Sequence, residues 1–476
     1  MTEASLPMSE AKNLFAALQQ SGDPETVAAI EELVRDAPDR ELSRVNVLDF
    51  AAKRALDEER VIAAFLHAAR LGLFELSWNV LCPSCGGVLN ASATLKSVNR
   101  EKYHCAWCAA GYEPTLDEIV EVTFTINRRV RRIAAHDPNE LPFAEYFRQV
   151  FWSSAIDLPD DLDRLIPEMT LDTVELPAGE KAQLSLHLPA KFAILLDPVT
   201  HTTQFLDVRG EPTRERQSLS LVFDKVRAPT ETVQLRPGPL RLSLDNRTDT
   251  RVLPGLWVGG GDLEELLSRR KPFLTAKRLL TNQVFRDIYG ADTIDVDQRL
   301  KITSLTFLFT DLRGSTELYE RVGDLVAFDL VRAHFQVLNE IVATEAGAVV
   351  KTSGDAVMAT FPTPDRAVAA ALRMREAMRS LNDTHHRGDE LLLKIGIHEG
   401  PCLAVVLNNR QDYFGRTVNI AARVQGLANS RSILATKSVV THPKASTLLE
   451  SSGLTPVPQS RALRGVAEEL AVYEIP

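Results

Sequence analysis

The sequence predicts a multidomain protein: a helical front, a small four-cysteine module, a β-rich middle, and a C-terminal domain that alternates strands with helices. Three observations carry that expectation. A chain of 476 residues is longer than one hydrophobic core holds and implies three or four domains. Two Cys-x-x-Cys pairs, Cys82/Cys85 and Cys105/Cys108, are separated by nineteen residues. The apolar pattern also changes from three- and four-residue spacing to period two, and then mixes both. Apolar content of 45% and charged content of 25% are ordinary for a soluble globular chain. A net charge of −10 speaks against a dedicated nucleic-acid binder. No apolar run approaches the ~20 residues that cross a bilayer, so no membrane partner is expected. The opening MTEASLPMSE has neither the basic start nor the apolar core of a signal peptide, so a cytoplasmic protein is expected.

Residues 1–80 are predicted to be helical. Segments 9–19, 24–35, 47–56 and 58–71 carry apolar residues at helical spacing, with Ser9, Asp23 and Asp57 placed as start residues. The last two helices and the LGLFEL strand after them resemble a winged helix. Acidic residues outnumber basic ones here, so a protein-contact or structural role is expected rather than DNA binding.

Residues 81–112 hold Cys82, Cys85, Cys105 and Cys108. Four thiolates in two knuckles match tetrahedral Zn²⁺ in a zinc ribbon. Disulfides or free core cysteines are the competing readings, and a chain without an export signal disfavours disulfides. Four cysteines leave no open coordination position, so the Zn²⁺ would be structural. Cys402, the fifth cysteine, is expected in a core.

Residues 113–165 are a connecting region with a strand at 120–130 and a helix at 142–152. Residues 166–260 are predicted to form a β-sandwich. Leu184, Leu186 and Leu188 alternate with polar residues, as do Leu240, Leu242 and Leu244, and turn signals such as Asp245-Asn246 lie between such segments. His187 and His201 are expected at the surface. Gly259-Gly260-Gly261 marks a boundary, and residues 261–300 read as a helical linker with helices at 262–268 and 274–289. Leu280, Val284 and Ile288 stripe the second of these. That stripe serves either packing within the chain or a helix pair across a dimer.

Residues 301–476 carry the chemistry. An apolar strand at 305–309 leads into FTDLRGST, read as a tight turn with Asp311 at its mouth and a helix start behind it. Leu312, Arg313, Gly314, Ser315 and Thr316 would cradle phosphate oxygens on unpaired N–H groups. In VVKTSGDAVMATF a hairpin places Asp355 on its turn. A lone turn aspartate is ordinarily a turn former. If the two strands are neighbours, however, both carboxylates converge on one sheet edge, an oxygen-ligand arrangement suited to Mg²⁺. A third stretch, QDYFGRTVNIAAR, sets Asn419 and Arg423 four apart, on one face of a helix. Phe328, Val331, Phe335, Leu338 and Val342 mark another helix, 367–381 a further one, and 394–398 a strand on which His398 is expected to be a core residue.

These stretches resemble the catalytic domain of class III adenylyl and guanylyl cyclases over residues 301–476. The resemblance implies a ferredoxin-like α+β domain working as a head-to-tail homodimer. Asp311 and Asp355 would hold two Mg²⁺ or Mn²⁺ ions, Lys351 and Asp412 would read the purine, Asn419 would orient the ribose, and Arg423 would stabilise the transition state. A lysine donor and a carboxylate acceptor complement the edge of adenine, so ATP is the expected substrate and adenylate cyclase the expected activity. A guanylate cyclase, or a non-catalytic nucleotide-sensing DNA-binding regulator, are the alternatives. Two departures stand out: Val466 follows Arg464-Gly465 where many members have a basic residue, and Ser315 replaces a phenylalanine common in eukaryotic members. An unidentified regulatory ligand or protein is expected at the N-terminal region.

Overall fold

The computed structural model describes residues 8–98, 102–224, 231–295, 297–314, 320, 322–385, 391–408, 410–429, 432–459 and 471–476. The chain forms two compact units: Met1–Pro114 with Ile119–Leu274, and Thr115–Glu118 with Thr275–Pro476.

In the first unit, helices Met8–Ser21, Pro24–Asp36, Val47–Arg54 and Glu58–Arg70 occupy the predicted places. Asp23 and Asp57 cap the second and fourth, each accepting a backbone N–H three residues on, at 3.1 and 3.0 Å. Ser9 lies inside the first helix instead of preceding it. The apolar face of Glu58–Arg70 is buried through Val61, Ile62, Phe65 and Leu66. Strands Val88–Ser92, Phe74–Leu81 and Val120–Ile126 form an antiparallel sheet in that order. The strand predicted to reach Val130 stops at Ile126, because the N–H groups of Val130 and Arg131 turn back to the Asn127 carbonyl. The 142–152 helix forms as an α-turn, Phe143–Tyr146, followed by a π-helical turn, Phe147–Phe151.

The β-rich region pairs a sheet of Gln217–Phe223, Gly238–Asn246 and Lys181–Leu188 with a second sheet of Val233–Leu235, Thr202–Val208, Ala193–Asp197, Gly255–Val258 and Thr170–Thr173. The alternating leucines of Gly238–Asn246 point into the core between them, where Leu240, Leu242 and Leu244 meet Leu195, Leu206 and Phe223. Residues at the start of the expected sandwich belong instead to the helix Leu162–Met169. His187 is exposed, whereas His201 is half-buried against the Phe151 ring at 5.5 Å.

In the second unit, eight strands among the described residues make one sheet. Its order is Ala348–Ser353, Ala356–Phe361, Leu300–Arg313, Leu392–Leu407, Ile433–Thr436, Val472–Ile475 and Val457–Gln459, with Arg410–Phe414 paired to Leu392–Leu407. Helices Asp324–Thr344 and Pro364–His385 cover one face through Leu338, Val342, Val368 and Met374. Helix Arg416–Leu427 covers the other, since Ile433 and Ala435 pack with the first cluster while Leu434 packs with Ile420 and Val424.

Three expectations are corrected here. The stretch 261–300 is not one linker: helix Gly261–Ser268 lies in the first unit, and the second begins at Thr275. The single helix expected over 274–289 breaks into Ala276–Leu280 and Gln283–Tyr289, because the Asn282 side chain accepts the Phe285 N–H at 3.0 Å and starts a new helix. Leu280 is buried, but Val284 and Ile288 are only half-buried, so the stripe does not run as one seam. The helix marked by Phe328 forms as Asp324–Thr344, with Phe328 itself 60% exposed beside Leu325 at 84%.

Candidate active site

Asp311 lies near the end of one strand and Asp355 on the hairpin turn that leads into the neighbouring strand. Leu300–Arg313 pairs with Ala356–Phe361 so that Thr310 faces Val357, which sets the hairpin turn beside the strand end. Gly354 makes that turn at φ 61°, a left-handed conformation that glycine adopts without a steric cost. The Leu312 N–H donates to Asp355 Oδ2 at 3.1 Å. This contact revises the phosphate loop. Leu312 and Arg313 are the last residues of a strand, not a helix start, and the buried Leu312 has its amide engaged by Asp355. Gly314 is an exposed turn residue with φ 70°. Ser315 and Thr316 lie outside the described residues, as do Arg464, Gly465 and Val466.

Asp311 is opposite Lys394 in the neighbouring strand, with the ammonium 3.8 Å from its carboxylate. Burial, then repulsion from Asp355, raises the Asp311 pKa above the usual carboxylate value, and Lys394 only partly opposes this. Two carboxylates so placed repel each other until a cation sits between them. Behind them His334 is fully buried, and among the described residues neither ring nitrogen makes a well-formed hydrogen bond. Burial pushes it down to about 4, and the Asp355 charge opposes that shift.

Lys351, on Ala348–Ser353, donates to Asp412 Oδ2, on Arg410–Phe414, at 2.6 Å. The Tyr413 N–H holds the other Asp412 oxygen at 2.8 Å. The carboxylate is buried while the lysine side chain is 49% exposed. Lysine has three donors and a carboxylate about four acceptor sites, so the pair retains capacity for a ligand.

Asn419 and Arg423 share the exposed face of helix Arg416–Leu427, whose opposite face buries Thr417, Ile420, Ala421 and Val424. The helix is pressed onto the sheet at Gly396, where a Cβ would lie 2.2 Å from the Gln425 nitrogen. His398 is a satisfied core residue, its Nδ1 2.8 Å from Thr436 Oγ1, and Cys402 is buried with its thiol pushed up to about 12 by burial.

Sequence reasoning missed Lys394, whose signal was a lone lysine within an apolar strand, and it missed Arg286. The Arg286 guanidinium donates to the carbonyls of Gln411 at 2.9 Å and Val350 at 3.4 Å. These are the residues immediately before Asp412 and Lys351. On the same helix, Gln283 Oε1 accepts the Val349 N–H at 2.8 Å. The preceding helix adds the Leu280 carbonyl, which accepts from the Tyr413 hydroxyl at 3.2 Å.

In the first unit the four cysteines converge as expected. Cys82 and Cys108 sulfurs are 3.7 Å apart, those of Cys85 and Cys105 are 3.6 Å apart, and all four lie within 4.8 Å of one another. Hydrogen bonding with Cys105 lowers Cys108 to about 7 and raises Cys85 well above the ordinary thiol value. Four thiols this close cannot all ionise without a cation, so the cluster suits a metal ion.

Residues 8–287 match the family described as "Family of unknown function (DUF5939)", and residues 298–465 match "Adenylate and Guanylate cyclase catalytic domain". An adenylate cyclase of Anabaena cylindrica is 30% identical over 185 residues, which is 36% of this chain and 36% of that protein. Adenylate cyclase 2 of Rhizobium meliloti is 29% identical over 247 residues, 48% of this chain and 64% of that protein. The chain thus spans less than two thirds of the length of these relatives. Among solved structures, the adenylyl cyclase CyaB from P. aeruginosa is 24% identical, with a TM-score of 0.34, covering 38% of this chain and 96% of that one. Over most of its length the chain therefore belongs to the family of unknown function DUF5939, and at residues 298–465 it carries an adenylate and guanylate cyclase catalytic domain.

Proposed function

We propose that the protein is an adenylate cyclase that converts ATP to 3′,5′-cyclic AMP and pyrophosphate as a homodimer. The observation that carries this reading is the preformed Lys351–Asp412 pair, in a unit that also holds the Asp311/Asp355 pair. The ammonium donates to adenine N1 and the carboxylate accepts from the 6-amino group, whereas guanine presents the reverse pattern. Two Mg²⁺ or Mn²⁺ ions bound at Asp311 and Asp355 would lower the pKa of the ribose 3′-hydroxyl and neutralise phosphate charge. Asn419 orients the ribose and Arg423 donates to charge developing on the transferred phosphorus. In the resembling family the metal aspartates come from one subunit and the base, ribose and transition-state residues from its partner. The cysteine cluster is read as a structural Zn²⁺ site, consistent with four sulfur ligands and no open position.

Full-length protein given Mn²⁺-ATP and Mn²⁺-GTP in parallel is expected to form cyclic AMP and far less cyclic GMP. Equal turnover of GTP would overturn the base assignment, and turnover of neither would favour a nucleotide sensor. Lys351→Glu combined with Asp412→Cys is expected to narrow the ratio, since glutamate accepts where lysine donates.

Arg286 acts in this reading as a positioning residue. Its helix follows closely on the end of the first unit and holds the main chain next to both base-reading residues. It is thereby a route by which the upstream region, with a ligand or protein partner, sets activity. Arg286→Ala is expected to lower kcat about tenfold to a hundredfold, because small misplacement of reacting groups is costly, and to narrow the ATP/GTP ratio. Arg286→Lys should restore part of both, as one donor is retained. An unchanged kcat and ratio in Arg286→Ala would remove this role.

A further inference from the structure

The first unit contains a cleft of about 210 Å³ that the cyclase reading does not use. Its lining is cationic: Arg40, Arg44, Lys53, Arg54, Arg148 and Lys271 face Glu41, Asp49 and Asp160. Six cations and three carboxylates line it, and further carboxylates just outside the lining pair with some of the cations.

Most of these cations have local counter-charges. Arg40 pairs with Asp160 at 2.8 Å, and Lys53 with Asp49 at 2.9 Å. Lys271 pairs with Asp157 at 2.6 Å, and Arg148 with Glu145 at 3.4 Å. Arg44 differs. Its guanidinium donates to the main-chain carbonyls of Val150 and Trp152, and among the described residues no carboxylate lies within ion-pair distance of it. Glu121 attracts it from beyond ion-pair distance, and the Glu121 oxygens accept from Asn79 at 3.1 Å and Ser154 at 2.7 Å. Burial accordingly pushes the Arg44 pKa below its ordinary value. Its backbone sits at φ 48°, a left-handed conformation disfavoured for a residue with a Cβ and retained where surrounding structure holds it. Arg54 also lacks a carboxylate among the described residues, and its guanidinium lies 4.2 Å from the centroid of the Phe50 ring.

Carbonyl dipoles orient a guanidinium but do not neutralise it, and a recessed cation whose nearest carboxylate is beyond ion-pair distance is costly. An oxyanion relieves that cost through short, charge-assisted hydrogen bonds, bidentate where the guanidinium geometry allows. Size narrows the class. A cavity of about 150 Å³ accommodates benzene, so 210 Å³ corresponds to about eight heavy atoms. Phosphate or a short dicarboxylate fills that volume.

We propose that this cleft binds a small oxyanion, a phosphate or carboxylate compound of about eight heavy atoms or fewer, with Arg44 as its main contact and Arg54 as its second. Calorimetric titration of the full chain at fixed ionic strength, with inorganic phosphate in one arm and malonate in the other, tests it and separates the two headgroups. Binding of at least one anion at one site per chain is expected. Arg44→Gln should weaken it about tenfold, the loss expected for one charge-assisted pair, and Arg54→Gln should weaken it less. Asp355→Asn, in the other unit, should leave it unchanged. Should Arg44→Gln fail to fold, Arg54→Gln still decides, because among the described residues its guanidinium bonds no main-chain group. Absence of binding by both anions overturns the proposal. So does binding that survives both arginine substitutions, or binding that is lost only in Asp355→Asn.

Discussion

Asp355→Ala and Arg423→Ala are each expected to reduce cyclic AMP formation by about a hundred- to a thousandfold, the loss typical when one electrostatic partner of a transition state is removed. Mixed and allowed to exchange, the two inactive proteins are expected to recover about a quarter of the unmodified activity. Half of the dimers formed at random are mixed, and each mixed dimer has one site with both residues intact and one with neither. The geometry makes the two variants suitable. Asp355 lies on a two-residue turn and Arg423 on the exposed face of a helix, so neither substitution removes a core side chain. Asp355→Ala also frees the Leu312 N–H that its carboxylate accepts, a loss of one hydrogen bond near the end of the strand. Activity that stays at the level of the separate variants, with exchange shown by a tagged subunit, would place a complete site within one chain.

What the sequence revealed divides by the range of the interaction. Asn419 and Arg423 share a face because four residues make about one helical turn, and the Gly354-Asp355 turn is encoded by two adjacent residues. Both are local patterns, and both could be read. The cysteine cluster was legible as well, since two Cys-x-x-Cys knuckles constrain their own geometry. The end of the catalytic strand was not. FTDLRGST contains turn formers, yet Asp311, Leu312 and Arg313 remain extended because Lys394, Leu393 and Leu392 pair with them from a strand about eighty residues on. Residues 115–118 were equally hidden. Asp117 accepts the N–H groups of Thr303 and Ser304, both at 3.0 Å, and this contact assigns a stretch from the front half to the catalytic unit. The Arg286 contacts end on main-chain carbonyls, which have no residue identity for a pattern to detect. One practical consequence concerns fragments: a chain cut at 295 would lose Arg286, Gln283 and the Leu280 carbonyl, and its low activity would say nothing about regulation by residues 1–274.

Removal of metal from the cysteine cluster is expected to have the largest effect on stability. Four sulfurs at about 2.3 Å from a tetrahedral Zn²⁺ are about 3.8 Å from one another, close to the 3.6 and 3.7 Å edges seen here and well beyond the ~2.05 Å of a disulfide. A structural Zn²⁺ of this type contributes on the order of 10 kcal/mol to the folding of its module, comparable to the whole stability of a domain. The effect should not stay local. Cys82, Cys85 and Cys105 belong to a core cluster that includes Trp107, Trp152 and Trp257, and also Ile194, Leu196 and Phe205 of the larger β-sheet. Three of the four tryptophans of the chain therefore report on it, with Trp107 5.3 Å from Trp257 and 6.3 Å from Trp152. Purified protein is expected to hold one Zn²⁺ per chain by elemental analysis. Chelation or Cys85→Ser should shift the tryptophan emission to the red and lower the first unfolding transition, and cyclic AMP formation should fall no faster than that transition. A zinc-free preparation with the same emission and the same unfolding temperature would show that the cluster is held by packing alone.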